Sequence, residues 1–292
     1  MVAQGGAEAG RMTAAAFSPG SVKTKFRLAG GAQPLILLPV QVNGRGPFDF
    51  ILDTGAGTSL LSSELAKGLG VRITGSKEGQ SAAGKVAVSL ARVDSLAIGS
   101  TSLHDVDVGV VDLSQIAKTI GANIDGDLGY NFLRHFRITL DYGNYEIRFD
   151  GPKKIEMSGS AKTESRIRLA NPAKPLILVD IYANGSGPFQ FAVDTGTSTT
   201  AITPDMAKAL AVESLPVGPA AAGSGQVDVT AGSLRSFQLG SARIDNLPVI
   251  VANFFEMLSQ AVGVRLDGIV GYNFLRNYKV VIDYPGELLS LY

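Results

Sequence analysis

The chemistry this sequence offers rests on two aspartates. Asp53 follows the apolar run Phe48–Leu52 and opens the triplet Asp-Thr-Gly; Asp194 opens a second such triplet after Phe189–Val193. A carboxylate at the end of a buried strand is costly unless something is arranged around it. If the two meet about 3 Å apart they cannot both ionise, and they share a proton. One can then take a proton from water while the other gives one to a substrate oxygen. That is the chemistry of peptide hydrolysis without a metal or a covalent intermediate. Gly55 and Gly196 allow the tight turns, and the hydroxyls of Thr54 and Thr195 can brace one turn against the other. Taken singly, each triplet has an ordinary reading, a β-turn whose Asp binds its own backbone.

The triplets are in register within a duplication. "PLILLPVQVNGRGPFDFILDTGAGTS" from Pro34 returns as "PLILVDIYANGSGPFQFAVDTGTSTT" from Pro175, so that Asn43, Gly44, Gly46, Pro47, Phe48 and Asp53 recur 141 positions later. Downstream, "DGDLGYNFLRHFRITLDY" from Asp125 returns as "DGIVGYNFLRNYKVVIDY" from Asp267, shifted by 142. The expected organisation is an N-terminal tail over 1–21, one lobe over 22–150, a linker over 151–164 and a second lobe over 165–292. Related lobes pack about a pseudo-twofold axis, and a loop near that axis meets its counterpart.

Each unit reads as mostly β. Apolar runs flank Asn-Gly, a hairpin signal. A short helix follows each triplet: Thr203 caps one with Pro204 at its first position, and Ser62 or Ser63 starts the other, closed by Gly70. Gly- and Ala-rich segments follow at Gly75–Gly84 and Pro216–Gly225. Each unit then gives further strands, a short helix after Tyr130 or Tyr272, and a closing hairpin. The fold class is all-β, two pseudo-twofold-related lobes with a few short helices.

Composition removes other classes. The chain has 292 residues, 45% of them hydrophobic, with 26 basic and 26 acidic side chains. Zero net charge gives no footprint for nucleic acid, and no apolar run approaches a membrane span. With no cysteine and two histidines, neither disulfides nor a structural zinc site is expected. No cofactor and no metal is expected. His104 and His135 lack a histidine counterpart in the other unit and read as incidental. Asp141 and Asp283 read as turn-capping and salt-bridging groups. The first residues lack the apolar core of a signal peptide. The expectation is a cytosolic protein or one whose signal has been removed, and the Ala- and Gly-rich start leans it towards a periplasmic or secreted home.

Two Asp-Thr-Gly triplets, each followed by a block such as Ile269-Val270-Gly271 and a closing helix, resemble the aspartic proteases. The half-length, the absent cysteines and "DTGA" in the first unit are closest to the retropepsin-like branch, with the two units fused in one chain as in pepsins. The resemblance covers nearly all of residues 22–292. It implies acid-protease lobes, with Asp53 and Asp194 as the catalytic pair. Thr54 and Thr195 would interlock beneath them, and Gly55 and Gly196 would supply backbone amides. The Gly-rich segments would be flaps over an extended polypeptide substrate, with Gly84 and Gly223 among the residues meeting it. Pepsins carry a flap tyrosine and neither segment here has one, so a pair of flaps fits better. A monomer acting as a pseudo-dimer is implied.

Two asymmetries stand inside the repeat. Thr197 can bond the outer oxygen of Asp194, whereas Ala56 can do nothing of the kind for Asp53. Asp127 occupies the position of Ile269, which in aspartic proteases lines a central subsite. Asp127 either makes that subsite acidic or turns outward and caps the helix at "YNFLR". An aspartic endopeptidase is the leading function. A non-catalytic peptide-binding or scaffold protein of the same fold, and a self-processing or regulatory protease, are the other readings.

Overall fold

A computed structural model describes residues 17–18, 20–81, 84–151, 160–172, 174–222 and 225–292. The duplication folds into two β-lobes joined by a sheet that belongs to both. In the first lobe the hairpin Leu35–Val42/Arg45–Leu52 turns at Asn43 and Gly44, whose φ of 52° and 70° fit the primed hairpin turn that Asn-Gly favours. Asn184 and Gly185 repeat it at 52° and 81°. Asn43 Oδ1 then accepts from the Ser95 amide at 3.1 Å, and Asn184 Oδ1 from the Ser236 amide at 3.1 Å. Each turn is thereby tied to the long strand beside it.

The strand that carries Asp53 is buried where it ends: Phe50, Ile51 and Leu52 are nearly inaccessible. Its neighbour is the three-residue strand Gly126–Leu128, parallel to it, with Asp127 opposite Ile51 and Leu128 opposite Leu52. Leu60–Ser62 flanks that strand on the other side. In the second lobe Gly268–Val270 lies between Ser186–Val193 and Ala201–Ile202 in the same way. The chain thus leaves each sheet at an Asp-Thr-Gly turn and re-enters it one strand away, and the later short strand fills the gap between.

The helix starts follow their capping residues. Ser62 Oγ accepts from the Leu65 amide and Thr203 Oγ1 from the Met206 amide, and Gly70 closes the first helix in the left-handed region at φ 68°. Two further helices, Ser114–Ile120 and Phe255–Val262, were not anticipated. The Gly-rich segments form hairpins, Ile73–Ser81 with Gly84–Ile98 and Ser214–Ala222 with Gly225–Leu239. Each reaches the opposite lobe: Ile73–Ser81 touches the helix Phe255–Val262, and Ser214–Ala222 touches Ser114–Ile120.

The closing hairpins meet in a six-stranded sheet, with Arg137–Asp141 antiparallel to Lys279–Asp283 at its centre. Thr139 pairs with Val281, its own counterpart in the repeat, so the pseudo-twofold axis passes there. Lys279 reaches Asp141 at 2.9 Å and Arg137 reaches Asp283 at 3.8 Å, one ion pair on each side of the axis. Asp141 and Asp283 also accept from the amides of Asn144 and Gly286, in keeping with their reading as turn and salt-bridge residues. Phe132, Phe136, Phe149, Phe191, Phe237 and Phe274 fill one core that continues through both lobes.

Two short strands fall within the stretches read as tail and linker. Phe17–Ser18 pairs with Thr101–Val111, inside the stretch read as a tail. Thr163–Arg166 pairs with Leu288–Leu291, starting inside the stretch read as a linker. Thr163–Arg166 is polar, and pairing to a sheet edge rather than apolar content orders it.

Candidate active site

The two turns interlock. Thr54 N–H donates to Thr195 Oγ1 at 3.1 Å, and Thr195 N–H donates to Thr54 Oγ1 at 3.1 Å. Each hydroxyl in turn donates across the axis, Thr54 to the Val193 carbonyl at 3.1 Å and Thr195 to the Leu52 carbonyl at 2.8 Å. Both threonines are 1% exposed. Four mutual bonds in a dry place fix the separation of the loops, because any drift leaves buried donors unpaired.

That separation puts the carboxyls together. A Cβ on Gly55 would lie 2.7 Å from Asp194 Cγ, and one on Gly196 would lie 2.7 Å from Asp53 Cγ. Each carboxyl is therefore packed against the backbone of the opposite turn. Only glycine leaves room for the approach. Asp53 Oδ1 accepts from the Gly55 and Ala56 amides at 2.7 and 3.0 Å. Asp194 Oδ1 accepts from the Gly196 amide at 2.7 Å, and its Oδ2 from the Thr197 hydroxyl at 2.8 Å. Ala56 has no hydroxyl to offer in the corresponding place.

Asp127 completes the site. It is 8% exposed, and the Asp53 amide donates to the carbonyl of its neighbour Leu128 at 3.2 Å. The helix after it starts at Gly129 with no side-chain cap, so the outward, capping orientation does not occur. Desolvation is the first reason that all three carboxyls are held far above the usual carboxylate range, about 8 for Asp53 and Asp194 and about 7 for Asp127. Asp127 pushes Asp53 further up by its charge, as Asp53 does Asp194; the Gly55 and Gly196 amides and the Thr197 hydroxyl oppose the rise. Buried carboxyls that feel one another's charge retain protons that isolated ones would lose.

A second pair of bonds, not anticipated from sequence, anchors the turns from outside. Asn131 Oδ1 accepts from the amide and hydroxyl of Ser59 at 2.7 and 2.8 Å, and Ser59 Oγ accepts from the Gly129 amide at 3.0 Å. Asn273 and Thr200 repeat this, with both bonds at 2.8 Å and the Gly271 amide at 3.2 Å from Thr200 Oγ1. The signal was present in the repeated "GYNFLR", where each asparagine recurs in register. Below the site Tyr130 packs on Tyr284 and Tyr142 on Tyr272, each pair with ring centres 5.5 Å apart and drawn from both lobes.

The expected residues fall as follows. Asp53, Thr54, Gly55, Asp194, Thr195, Gly196, Thr197 and Asp127 come together at the interlobe turns. Ile269 is 7% exposed and packs in the second lobe's smaller core cluster. Gly84 opens the returning strand of the first hairpin at φ 117°. Gly223 lies outside the described residues.

The model of a family described as aspartyl protease matches twice, at residues 38–132 and 179–274. The chain belongs to the aspartyl protease family. Each match contains one Asp-Thr-Gly and the strand and helix that support it, so the family unit is present in duplicate. No curated protein matches the chain. Among the described residues no helix is long and apolar enough to cross a membrane.

Proposed function

We propose that the protein is an aspartic endopeptidase that cleaves extended polypeptide with Asp53 and Asp194 as its catalytic pair. The observation that carries this is the mutual packing of each carboxyl against the opposite glycine, 2.7 Å from a Cβ at Gly55 or Gly196. Pairing of this kind makes the two groups one titrating unit with a shared proton.

In this reading Asp194 carries the charge and Asp53 the proton. The Thr197 hydroxyl stabilises ionised Asp194, whereas the charge of Asp127 bears against ionised Asp53. A water held between them gives its proton to Asp194 while its oxygen bonds to the scissile carbonyl carbon, and Asp53 protonates the carbonyl oxygen. The resulting diol collapses: the C–N bond breaks, the amine nitrogen takes the proton from Asp194, and the diol returns one to Asp53. The two hairpins reach the opposite lobe's helices and would close over the substrate, holding it by main-chain bonds as an added strand. Two hairpins related by the axis favour the retropepsin-like arrangement. Ile269 and Asp127 would border the subsites beside the scissile bond.

Cleavage of a mixed peptide library from acidic to mildly alkaline pH tests this. Wild type should cut, a statine-type inhibitor should block it, and Asp53→Asn should not cut. Peptide binding without cleavage would support a non-catalytic binder instead.

A further inference from the structure

A cavity of about 350 Å³ opens between the lobes, beside the turn that carries Asp194. Its wall from the first lobe is hydrocarbon or bare backbone: Leu28, Pro34 and the glycine turn that joins Arg27–Ala29 to Leu35–Val42. In that turn the Gln33 amide donates to the Gly30 carbonyl at 2.9 Å, and a Cβ on Gly31 would meet nothing within 4 Å. The wall from the second lobe is polar. Ser198 and Thr199, which follow Asp194 in the chain, form it together with Asn273 and Arg276 of the short helix behind them. That helix is tied to the turn, for the Tyr272 amide donates to the Thr197 carbonyl at 2.8 Å and the Asn273 amide to the Ser198 carbonyl at 3.1 Å.

What the polar wall can offer a ligand depends on which of its groups are already engaged. Asn273 is committed to the fold: its Oδ1 takes the Thr200 amide and hydroxyl, and its Nδ2 donates to the Pro248 carbonyl at 2.7 Å. Among the described residues, the hydroxyls of Ser198 and Thr199 and the guanidinium of Arg276 make no hydrogen bond or ion pair. No Asp or Glu lines the cavity. The guanidinium is nevertheless held in place. It lies 5.6 Å from the centre of the Tyr272 ring, and Tyr272 packs in turn on Tyr142 of the first lobe, with ring centres 5.5 Å apart. A guanidinium stacked in this way keeps the N–H donors of its edge free.

We infer that this cavity binds a carboxylate of the peptide substrate, either an acidic side chain or a free C-terminus, with Arg276 as its cation and Ser198 and Thr199 as hydroxyl donors. This deepens the endopeptidase reading and rests on it. Free donors around one positive charge, with no carboxylate of the protein beside them, suit an anion. A planar guanidinium matches a carboxylate with two parallel bonds, and a lysine or arginine of the substrate would meet like charge there.

The chain sets how far from the cut this carboxylate lies. Ser198 comes four residues after Asp194, so their Cα atoms are at most about 14 Å apart. An extended peptide advances about 3.3 Å per residue, so the carboxylate belongs within about four residues of the scissile bond. The repeat does not duplicate the chemistry. Gly57 stands where the second lobe has Ser198, and Pro172 where the first lobe has Gly31. Arg134 does recur as the counterpart of Arg276, 5.7 Å from the centre of the Tyr130 ring. The acidic preference therefore falls on one side of the cut, and Arg134 is the control for a stacked arginine outside the cavity.

The test uses the full-length protein and quenched peptides built on a sequence cut from the library. Glu or Gln is placed at successive positions on either side of the cut, and each peptide is made with a free and with an amidated C-terminus. Expected in wild type is a Glu-over-Gln ratio in kcat/KM of about tenfold at one position on one side, the scale of a hydrogen bond to a charged partner, falling as salt is raised. A ratio of that size between free and amidated peptides would instead identify the chain terminus as the carboxylate bound. Either ratio should fall close to one in Arg276→Met, survive in part in Arg276→Lys, which keeps the charge but not the planar fork, and persist in Arg134→Met. A ratio is blind to a general loss of activity in a variant. If neither ratio departs from one in wild type, if it survives Arg276→Met, or if Arg134→Met removes it instead, the inference is wrong. Absence of cleavage by wild type would overturn the endopeptidase reading. Fluorescence anisotropy of labelled Glu and Gln peptides on wild type and Arg276→Met needs no turnover, and equal binding of the two peptides by wild type would then sink the cavity's role as well.

Discussion

At the scale of single residues, the site is governed by how many protons a buried set of carboxyls will keep. Asp53→Asn or Asp194→Asn should each lower peptide cleavage by about a thousandfold or more, since one amide removes the shared proton. Either variant should fold, and a stopped assay with unchanged circular dichroism would show it. Residual cleavage within tenfold of wild type would remove the dyad mechanism. Stability should move the other way. All three carboxyls hold protons in the folded chain that they release near 3.8 when unfolded, up to about 7 to 8. Between those limits the folded state binds more protons than the unfolded one, so stability is highest below about pH 4 as far as this cluster is concerned and declines as pH rises to about 8. Urea unfolding of wild type should record that downward slope, and Asp194→Asn should flatten it. Thr197→Ala removes a bond that favours ionised Asp194. It should raise the acidic limb of the activity profile by about half a pH unit or more, the equivalent of one modest hydrogen bond.

At the scale of elements, the turn does what the residues alone cannot. The hydroxyls of Thr54 and Thr195 each donate once and accept once across the axis while buried. Thr195→Ala strands the Thr54 amide and the Leu52 carbonyl and should cost about 2–4 kcal/mol in chemical denaturation. Thr195→Ser keeps the hydroxyl and should cost about 1 kcal/mol, mostly for the lost methyl. Equal losses in the two variants would mean the methyl, not the hydroxyl, matters. Gly196→Ala drives a methyl into the Asp53 carboxyl. It should abolish cleavage even where the protein still folds, because the pair must move apart to admit it.

At the scale of the whole molecule, the lobes are not independent. The central strands pair across the axis, the ion pairs Lys279–Asp141 and Arg137–Asp283 straddle it, and the aromatic core runs through both halves. Calorimetry should therefore record one unfolding transition whose van't Hoff and calorimetric enthalpies agree. Two resolved transitions would show that each lobe is stable alone.

Much of this was legible in the residues. The duplication, the Asn-Gly hairpins, the caps at Ser62 and Thr203 and the pairing of the two triplets all follow from local chemistry repeated in register. The helices Ser114–Ile120 and Phe255–Val262 were not read because neither starts at a side chain that caps it, and Ser114–Ile120 buries no side chain. The Ser59–Asn131 and Thr200–Asn273 anchors join residues about 70 apart in sequence, and no local pattern encodes such a contact. Asp127 marks the division most clearly. Its sequence position allowed a cap or a subsite wall, since a strand's two faces are equivalent until something packs on them. Only the parallel pairing beside Ile51, which buries that side chain, excluded the cap.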